Sequence, residues 1–534
     1  MSLMNPLNFI SSPFRLKEKQ RYGIIHSNHH NCEDLPLNIP LLIISAVCIA
    51  AVIILGALIN WHSSVLQTVT LGCADKRLKW IAVLSAVLIS LSCALPMGLS
   101  PVYNGELQDH LNQYELITEA FLSGHLDFQY DWIDERLLAM ENPYDAQARA
   151  DLGVYYHWDH AFYDGHYYMY FGVVPVFLAF MPYRLITGQA LTGYHVTQIF
   201  SAIFIAGIFS LLWTLGRKYF KKMPFALYLL ICSAISYLSV WNAVATPALY
   251  SMCIICALAL AVWSVYLFVK AVLFTENENR AIALAALASL LGALEFGCRP
   301  TVGLSNLIVL PLLYIFLKKH RISAKLIGKL VLAALPYVLV AAGLMWYNNA
   351  RFDSPFEFGQ SYQLTVTDQS NYGNMLDQFS PSALAHCLYY YLLNVSNPTI
   401  LPSLGLLISF PILLAGFVLL CSQKNRRTLG ETKLASLFSF LLITVFVIIL
   451  FESLWAPHPT PRYRMDFAWL LGIAAFIMAG CTCETCRDSL KPSRLLGTLC
   501  LLTLIISVLL ALYPQNKNFT EYYFADIKAM LGLK

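Results

Sequence analysis

Charge is scarce in this 534-residue chain. Asp, Glu, Lys and Arg together make up 12% of it, where a soluble domain carries roughly 25%. With 58% hydrophobic residues and a mean hydropathy of +0.60, that shortage excludes an ordinary soluble fold. The net charge is only +4, and nucleic acid is not an expected partner. A G-x-x-x-x-G-K-[ST] loop is missing, which argues against a nucleotide-driven pump. Internal repeats and low-complexity tracts are missing too. The first apolar run begins too deep for a cleavable signal, and no small-residue cleavage site follows it. Most of the 14 cysteines lie inside apolar runs, where they read as small hydrophobes. "CTCETC" holds Cys481, Cys483 and Cys486, but no clear fourth ligand is near, so a zinc site is not expected.

Long apolar runs are what the chain does have. They predict membrane helices near 36–59, 79–98, 195–216, 223–243, 247–273, 281–298, 301–317, 325–347, 401–421, 432–454, 466–482 and 494–513. The expectation is an all-α, polytopic membrane helix bundle of about 12 spans. Its parts are an N-terminal tail (1–35), an additional N-terminal helix (36–59), a membrane core (79–347) with a large outer loop (99–194), a second large outer loop (348–400), C-terminal membrane helices (401–513) and a tail (514–534). Lys and Arg cluster in alternate loops: Lys76, Arg77 and Lys79; "RKYFKK" at 217–222; "KKHR" with Lys325 and Lys329; Lys424, Arg426 and Arg427; Arg487, Lys491 and Arg494. If these face the cytoplasm, both long polar segments face outward. That holds only if 168–188 does not cross. It is short, and Pro175 and Pro182 interrupt it, so it reads as a juxtamembrane or re-entrant helix. The same count puts the tail with Arg15, Lys17, Lys19 and Arg21 outside, against the rule.

The first outer loop ends in "HWDHAFYDGHYYMYFGVVPVF", residues 157–177, and begins with "PVYNGELQDHLNQYELITEAFLSGHLDF". In the latter, Leu111, Tyr114, Ile117 and Phe121 fall at helical spacing. Four acids, Glu106, Asp109, Asp159 and Asp164, thus bracket a loop whose two ends return to the membrane surface. Carboxylates held there can act as a general base or bind a cation. Arginines supply the complement on the same face: Arg299 in "EFGCRPT", Arg351 in "WYNNARFDSPFEFG", and Arg462 and Arg464 in "WAPHPTPRYRMDF". A guanidinium is a bidentate partner for phosphate. An arginine near lipid costs around 2.5–3.5 kcal/mol at the bilayer centre and normally has a partner or water. Together these point to a carboxylate base and a phosphate clamp on the outer face. Interfacial tyrosines, solvated loop acids and snorkelling arginines are the simpler explanation of each residue taken singly.

In order and sidedness these residues resemble bacterial members of the GT-C superfamily, membrane glycosyltransferases that use polyprenyl-phosphate sugars. The motif is "D-x-A-x-Y-x-G-x-Y-Y-x-Y-x-G-x-x-P", here Asp159, Ala161, Tyr163, Gly165, Tyr167, Tyr168, Tyr170, Gly172 and Pro175. The turn at Arg299, the segment Tyr347 to Gly359, and Arg462, Tyr463, Asp466 and Phe467 are similar as well. The resemblance covers layout from about residue 79 onward. The helix at 36–59 is extra, and the early acids Glu106 and Asp109 are not adjacent as the family's pair is.

The resemblance implies a GT-C-like bundle that moves a sugar from a polyprenyl-phosphate donor to an envelope glycan, lipid or protein. It implies a bacterial plasma membrane with the active face outward. Position places Glu106 and Asp109, which directly follow a membrane helix, near the acceptor, with Asp159 and Asp164 organising the cavity or a cation. Arg299, Arg351, Arg462 and Arg464 then meet the donor phosphate, and Tyr167 and Tyr168 meet sugar rings. A divalent cation, Mg or Mn, is a candidate cofactor, although no His/Asp/Glu spacing demands one. The rivals are a transporter or lipid flippase for an anionic envelope precursor, and a non-catalytic partner that keeps the fold.

Overall fold

The structure is a computed structural model. It describes residues 39–61, 69–73, 75–100, 109–365, 368, 370, 380–395, 404–455, 459–486 and 490–512. Glu106 lies outside the described residues, as do the side chain of Asp109 and the N-terminal basic tail. Among the described residues, eleven helices are long and apolar enough to span a membrane: α1 (Pro40–Trp61), α2 (Lys76–Gly98), α3 (Gly193–Tyr219), α4 (Phe225–Ala245), α5 (Leu249–Leu273), α6 (Glu278–Cys298), α7 (Pro300–Lys319), α8 (Ala324–Phe352), α9 (Ala435–Leu454), α10 (Pro461–Thr485) and α11 (Leu490–Leu512). The chain is therefore a polytopic helical membrane protein whose outer helices meet lipid.

Polar residues fix where these helices start and stop. The Asp75 carboxylate accepts from the backbone N–H of Arg77 (2.9 Å) and Leu78 (3.0 Å), capping α2. Asn277 and Ser323 do the same for α6 and α8. Arg217 and Lys218 close α3, and Lys318 and Lys319 close α7, where cations oppose the helix dipole. Position in the bundle follows residue size. Helix α10 is buried along its length, and its glycines let neighbours approach: a Cβ on Gly472 would meet Ile235, and one on Gly480 would meet Phe220. By contrast α8 turns Val331, Leu339 and Trp346 outward.

The ninth expected span differs from the rest. Instead of one helix over 401–421, Leu406–Ser409 and Pro411–Leu420 are separated by Phe410 in an extended conformation. Proline cannot donate its missing N–H and disfavours helix in the residue before it. The segment still traverses the bundle. At one end Gly405 N donates to Asn394 O (2.9 Å). Just beyond the other end, Asn425 reaches Thr482 near the end of α10 (3.0 Å). Gly416 packs directly on Ala475, and the Thr503 hydroxyl of α11 accepts from Ile412 N (3.2 Å).

This alternation collects the basic turns at one end of the bundle and both long polar segments at the other. At the basic end Lys222 N donates to the Glu484 carboxylate (2.7 Å). At the loop end, helix Gln113–Leu122 buries Tyr114 and Ile117 as the spacing predicts. It packs on the apolar stretch after Pro175, with Tyr114 stacked on Phe180 (5.4 Å) and Phe121 on Phe177 (5.6 Å). Arg184 pairs with Glu119 (2.6 Å). The stretch 176–187 therefore lies along the loop helix and does not cross. The same loop contains the one departure from an all-α fold among the described residues, a hairpin of β1 (Ala161–Tyr163) and β2 (His166–Tyr168).

Glu115 joins the loop helix to the bundle by accepting from Gly193 N at the start of α3 (3.1 Å). Burial lifts its carboxyl from the ordinary 4.5 to about 7, against the lowering effect of backbone hydrogen bonds. Below pH 4.5 it is neutral in folded and unfolded chains and costs nothing. Between 4.5 and 7 only the unfolded chain releases the proton, so stability falls, and above 7 the cost is constant at no more than about 3 kcal/mol. Glu115→Gln keeps an oxygen for Gly193 and loses the ionisation. Its unfolding midpoint in detergent is expected to exceed the wild type's at pH 8 and to converge with it at pH 4.5. A gap independent of pH would contradict the shift.

Candidate functional site

The acids and arginines meet at the loop end, though not all of them and not in equivalent roles. Asp159 sits at the centre. Its φ of +61° is a left-handed conformation that Asp and Asn tolerate better than most residues. Backbone pairing holds it there. Asp159 N donates to Leu364 O (3.0 Å), Leu364 N to His160 O (2.9 Å), and Phe162 N to Tyr362 O (2.9 Å). Gln113 from the loop helix donates to the Asp159 carbonyl (2.9 Å). The second long polar segment is thus zipped to the first. The Asp159 carboxylate is buried and accepts from Tyr170 OH (3.2 Å), from Tyr250 OH at the start of α5, and from the Gln363 amide.

The network continues into the bundle by alternating rings and charges. The Arg462 guanidinium lies over the Tyr250 ring (4.4 Å to the centroid) and near that of Tyr463 (5.2 Å). Arg299 lies over Tyr463 (4.8 Å). Its Nε donates to both oxygens of Asp466 (2.8 and 2.9 Å), and its Nη2 is 3.5 Å from Glu452. Thr301 adds a hydroxyl bond to Asp466 (2.6 Å). Both carboxylates are almost wholly shielded, with side-chain exposures of 0% for Asp466 and 2% for Glu452. Arg299 is therefore committed to two acids of its own chain. Arg462 differs: among the described residues no carboxylate lies within ion-pairing distance of it.

The other arginines do different work. Arg351 is buried and spends its donors on Tyr347 O (3.3 Å), Asn348 Oδ1 (2.9 Å) and Met169 O, with its plane over the Tyr347 ring (3.7 Å). It ties the end of α8 to the loop strand that leads to Tyr170. Arg464 points to Tyr390, donating to its carbonyl (3.3 Å).

Asp164 does not join Asp159. It is exposed at the hairpin tip, with φ +48° followed by Gly165 at +76°. Asp-Gly with two positive φ values is the signature of a tight hairpin turn. Tyr167 is buried in the loop's own core. Its hydroxyl accepts from His157 N (3.3 Å), and its ring stands edge-on to Tyr130 (5.6 Å) and His157 (5.0 Å). Tyr168 is half-buried against Phe352 (5.3 Å). The aromatic, histidine-rich stretch is thus largely a small folded core. His160 is fully buried, with one ring nitrogen 2.8 Å from Tyr130 OH and the other 2.8 Å from Trp158 O.

Tyr250, Gln363, Glu452 and Thr301 enter the cluster without any expectation from sequence. Glu452 had a signal, since it is a lone acid in an otherwise apolar run, and ionisable residues in spans flag function. Gln363 had none. As for a cation, no three His, Cys, Asp or Glu among the described residues could hold a metal ion. The oxygens of Asp159 already accept three side-chain donors, which does not suit a metal at that carboxylate. Comparison with family models, with curated proteins and with solved structures returned no match to this chain.

Proposed function

We propose that the chain is a membrane glycosyltransferase that takes a sugar from a polyprenyl-phosphate donor at the loop end of the bundle, with that end facing outward in a bacterial plasma membrane. The observation that carries the reading is Arg462. It is a guanidinium at the head of a spanning helix, set on tyrosine rings, with no carboxylate within ion-pairing distance among the described residues. Near lipid a cation normally takes a partner or water, and the phosphate of a lipid donor would serve as that partner. In the proposed reaction a carboxylate, Glu106 or Asp109, takes the proton of an acceptor O–H or N–H. The acceptor atom bonds to the anomeric carbon as the bond from that carbon to the phosphate oxygen breaks. The polyprenyl phosphate leaves with the bonding pair, and Arg462 stabilises its charge. Asp159 positions Arg462 through Tyr250. Arg299 acts one step further out, holding Asp466 and Glu452 as the wall behind Tyr463.

A transporter reading is favoured by one specific feature. Glu295 is fully buried within α6, held by Ser305 Oγ (2.9 Å) and Asn306 Nδ2 (2.9 Å), and a carboxyl inside a span suits a proton relay. Donor binding by purified protein separates the two readings. Arg462→Ala is expected to weaken polyprenyl-phosphate binding by roughly one to two orders of magnitude, the worth of a charge-assisted contact. Arg462→Lys should fall between, as a point charge without the planar fork. Equal binding by wild type and Arg462→Ala removes Arg462 from the site. Absence of binding by both removes the glycosyltransferase reading.

A further inference from the structure

At the opposite, basic end of the bundle, the ends of three spans enclose an open cavity of about 900 Å³. Arg217 and Lys218 line it from the end of α3, Lys221 from the turn after it, Lys319 from the end of α7, and Glu276 from the turn after α5. Four cations against one carboxylate leave a formal charge of +3 on its walls, counting His320 as neutral. Two of the cations are fixed by the carbonyl end of α5: Lys319 Nζ donates to Val272 O (2.7 Å), and Lys218 Nζ to Leu273 O while lying over the Phe274 ring (4.4 Å). An ammonium has three donors, so each keeps others for a ligand. Arg217 rests on the Trp213 ring (5.7 Å). Neither Arg217 nor Lys221 meets a carboxylate within ion-pairing distance among the described residues.

The same cavity is also lined by Trp213, Leu273 and Phe274. Cations set beside apolar rings in one cavity, at the ends of spans, fit an amphiphile with an anionic head. Basic pockets between membrane helices bind anionic headgroups in this way, and the volume suits a small-molecule site. We propose that this cavity binds the headgroup of an anionic glycerophospholipid, with the phosphate at Arg217 and Lys221 and the glycerol and first acyl carbons along Trp213 and Phe274. The site is separate from the loop-end cluster and does not depend on the reaction assigned there.

The test is native mass spectrometry of the full-length protein in detergent, titrated with phosphatidylglycerol or phosphatidylcholine. Wild type is expected to retain one tightly held phosphatidylglycerol and to discriminate against phosphatidylcholine. Arg217→Ala combined with Lys221→Ala should weaken that lipid by roughly ten- to thirty-fold, the effect of two surface cations. Both residues are exposed, so the fold should survive. Lys424→Ala combined with Arg427→Ala removes the same charge from helix Gln423–Glu431, at the same end but off the cavity, and should leave the tight lipid in place. Equal losses in the two double variants, or equal binding of the two lipids, would overturn the proposal. So would displacement of the lipid by sodium phosphate at comparable concentration, since the ligand would then be a free anion.

Discussion

Arg299→Ala is expected to cost about 3–5 kcal/mol of stability, the penalty for stripping the partner from a buried charge. Arg299 is the cation paired with both Asp466 and Glu452, and neither acid has surface to turn toward water. Measured as unfolding midpoint or as yield of monodisperse protein in detergent, the loss should exceed that of Arg299→Lys, whose ammonium can still face one carboxylate. Arg299→Ala combined with Asp466→Asn should recover part of the loss, because the second change removes a charge that the first left unpaired. Additive losses would show that the pair is not coupled, and wild-type stability in Arg299→Ala would remove the cluster from any structural role. Under the proposed function, the folded fraction of Arg299→Ala should still bind polyprenyl phosphate, whereas Arg462→Ala should fold and bind poorly. That outcome would separate the two arginines into wall and contact.

Asp159 should show an ordered series. Asn keeps the left-handed backbone but turns charge-assisted hydrogen bonds into neutral ones, so Asp159→Asn is expected to lose about 2–3 kcal/mol. Asp159→Ala loses the acceptor altogether and adds roughly 1–2 kcal/mol for a residue ill-suited to positive φ. Asp159→Gly should fall between, relieving the backbone without restoring the network. Thermal midpoints of the three variants check the order. Equal values for Ala and Gly would show that φ carries no strain, and a wild-type value for Asn would show that the charge of Asp159 adds nothing net to the Tyr170, Tyr250 and Gln363 bonds.

What could be read from the letters was whatever lipid dictates. Apolar runs and basic turns repeat along the chain, so the spans and their alternation were legible. The non-crossing of 168–188 followed from its length and its prolines. Pro411 carried the same kind of signal in the ninth run, where the apolar count outweighed it. The site was legible only in its ingredients. Arg299 and Asp466 are 167 positions apart, and nothing local says that the first is satisfied by the second while Arg462 is not. Asp164 shows the converse. Asp-Gly between "AFY" and "HYY" is a hairpin signal, but beside Asp159 the same letter reads as chemistry. Tyr167 and Arg351 fail as surface residues for one reason: a loop of this size builds a core of its own, and its largest polar side chains are recruited to hold that core together.

The length of α8 has a mechanical consequence. Its 29 residues measure about 43 Å at 1.5 Å per residue, against about 30 Å of hydrocarbon. Lys329, near its start, is held at the basic end by Glu278 and Asn279, so the surplus length emerges at the loop end. The last turn is Arg351 and Phe352, gripping Met169 O and the Tyr168 ring, one residue before Tyr170. This helix is also among those with most surface turned to lipid. It runs from bilayer to site with Pro336 near its middle, where the lost backbone hydrogen bond lets it bend: a change in membrane thickness is expected to be met by tilt and by bending there, and the displacement that remains at its last turn is passed to Tyr170 and Asp159. Bilayer thickness is therefore expected to reach the geometry around Arg462 only through what bending at Pro336 does not absorb.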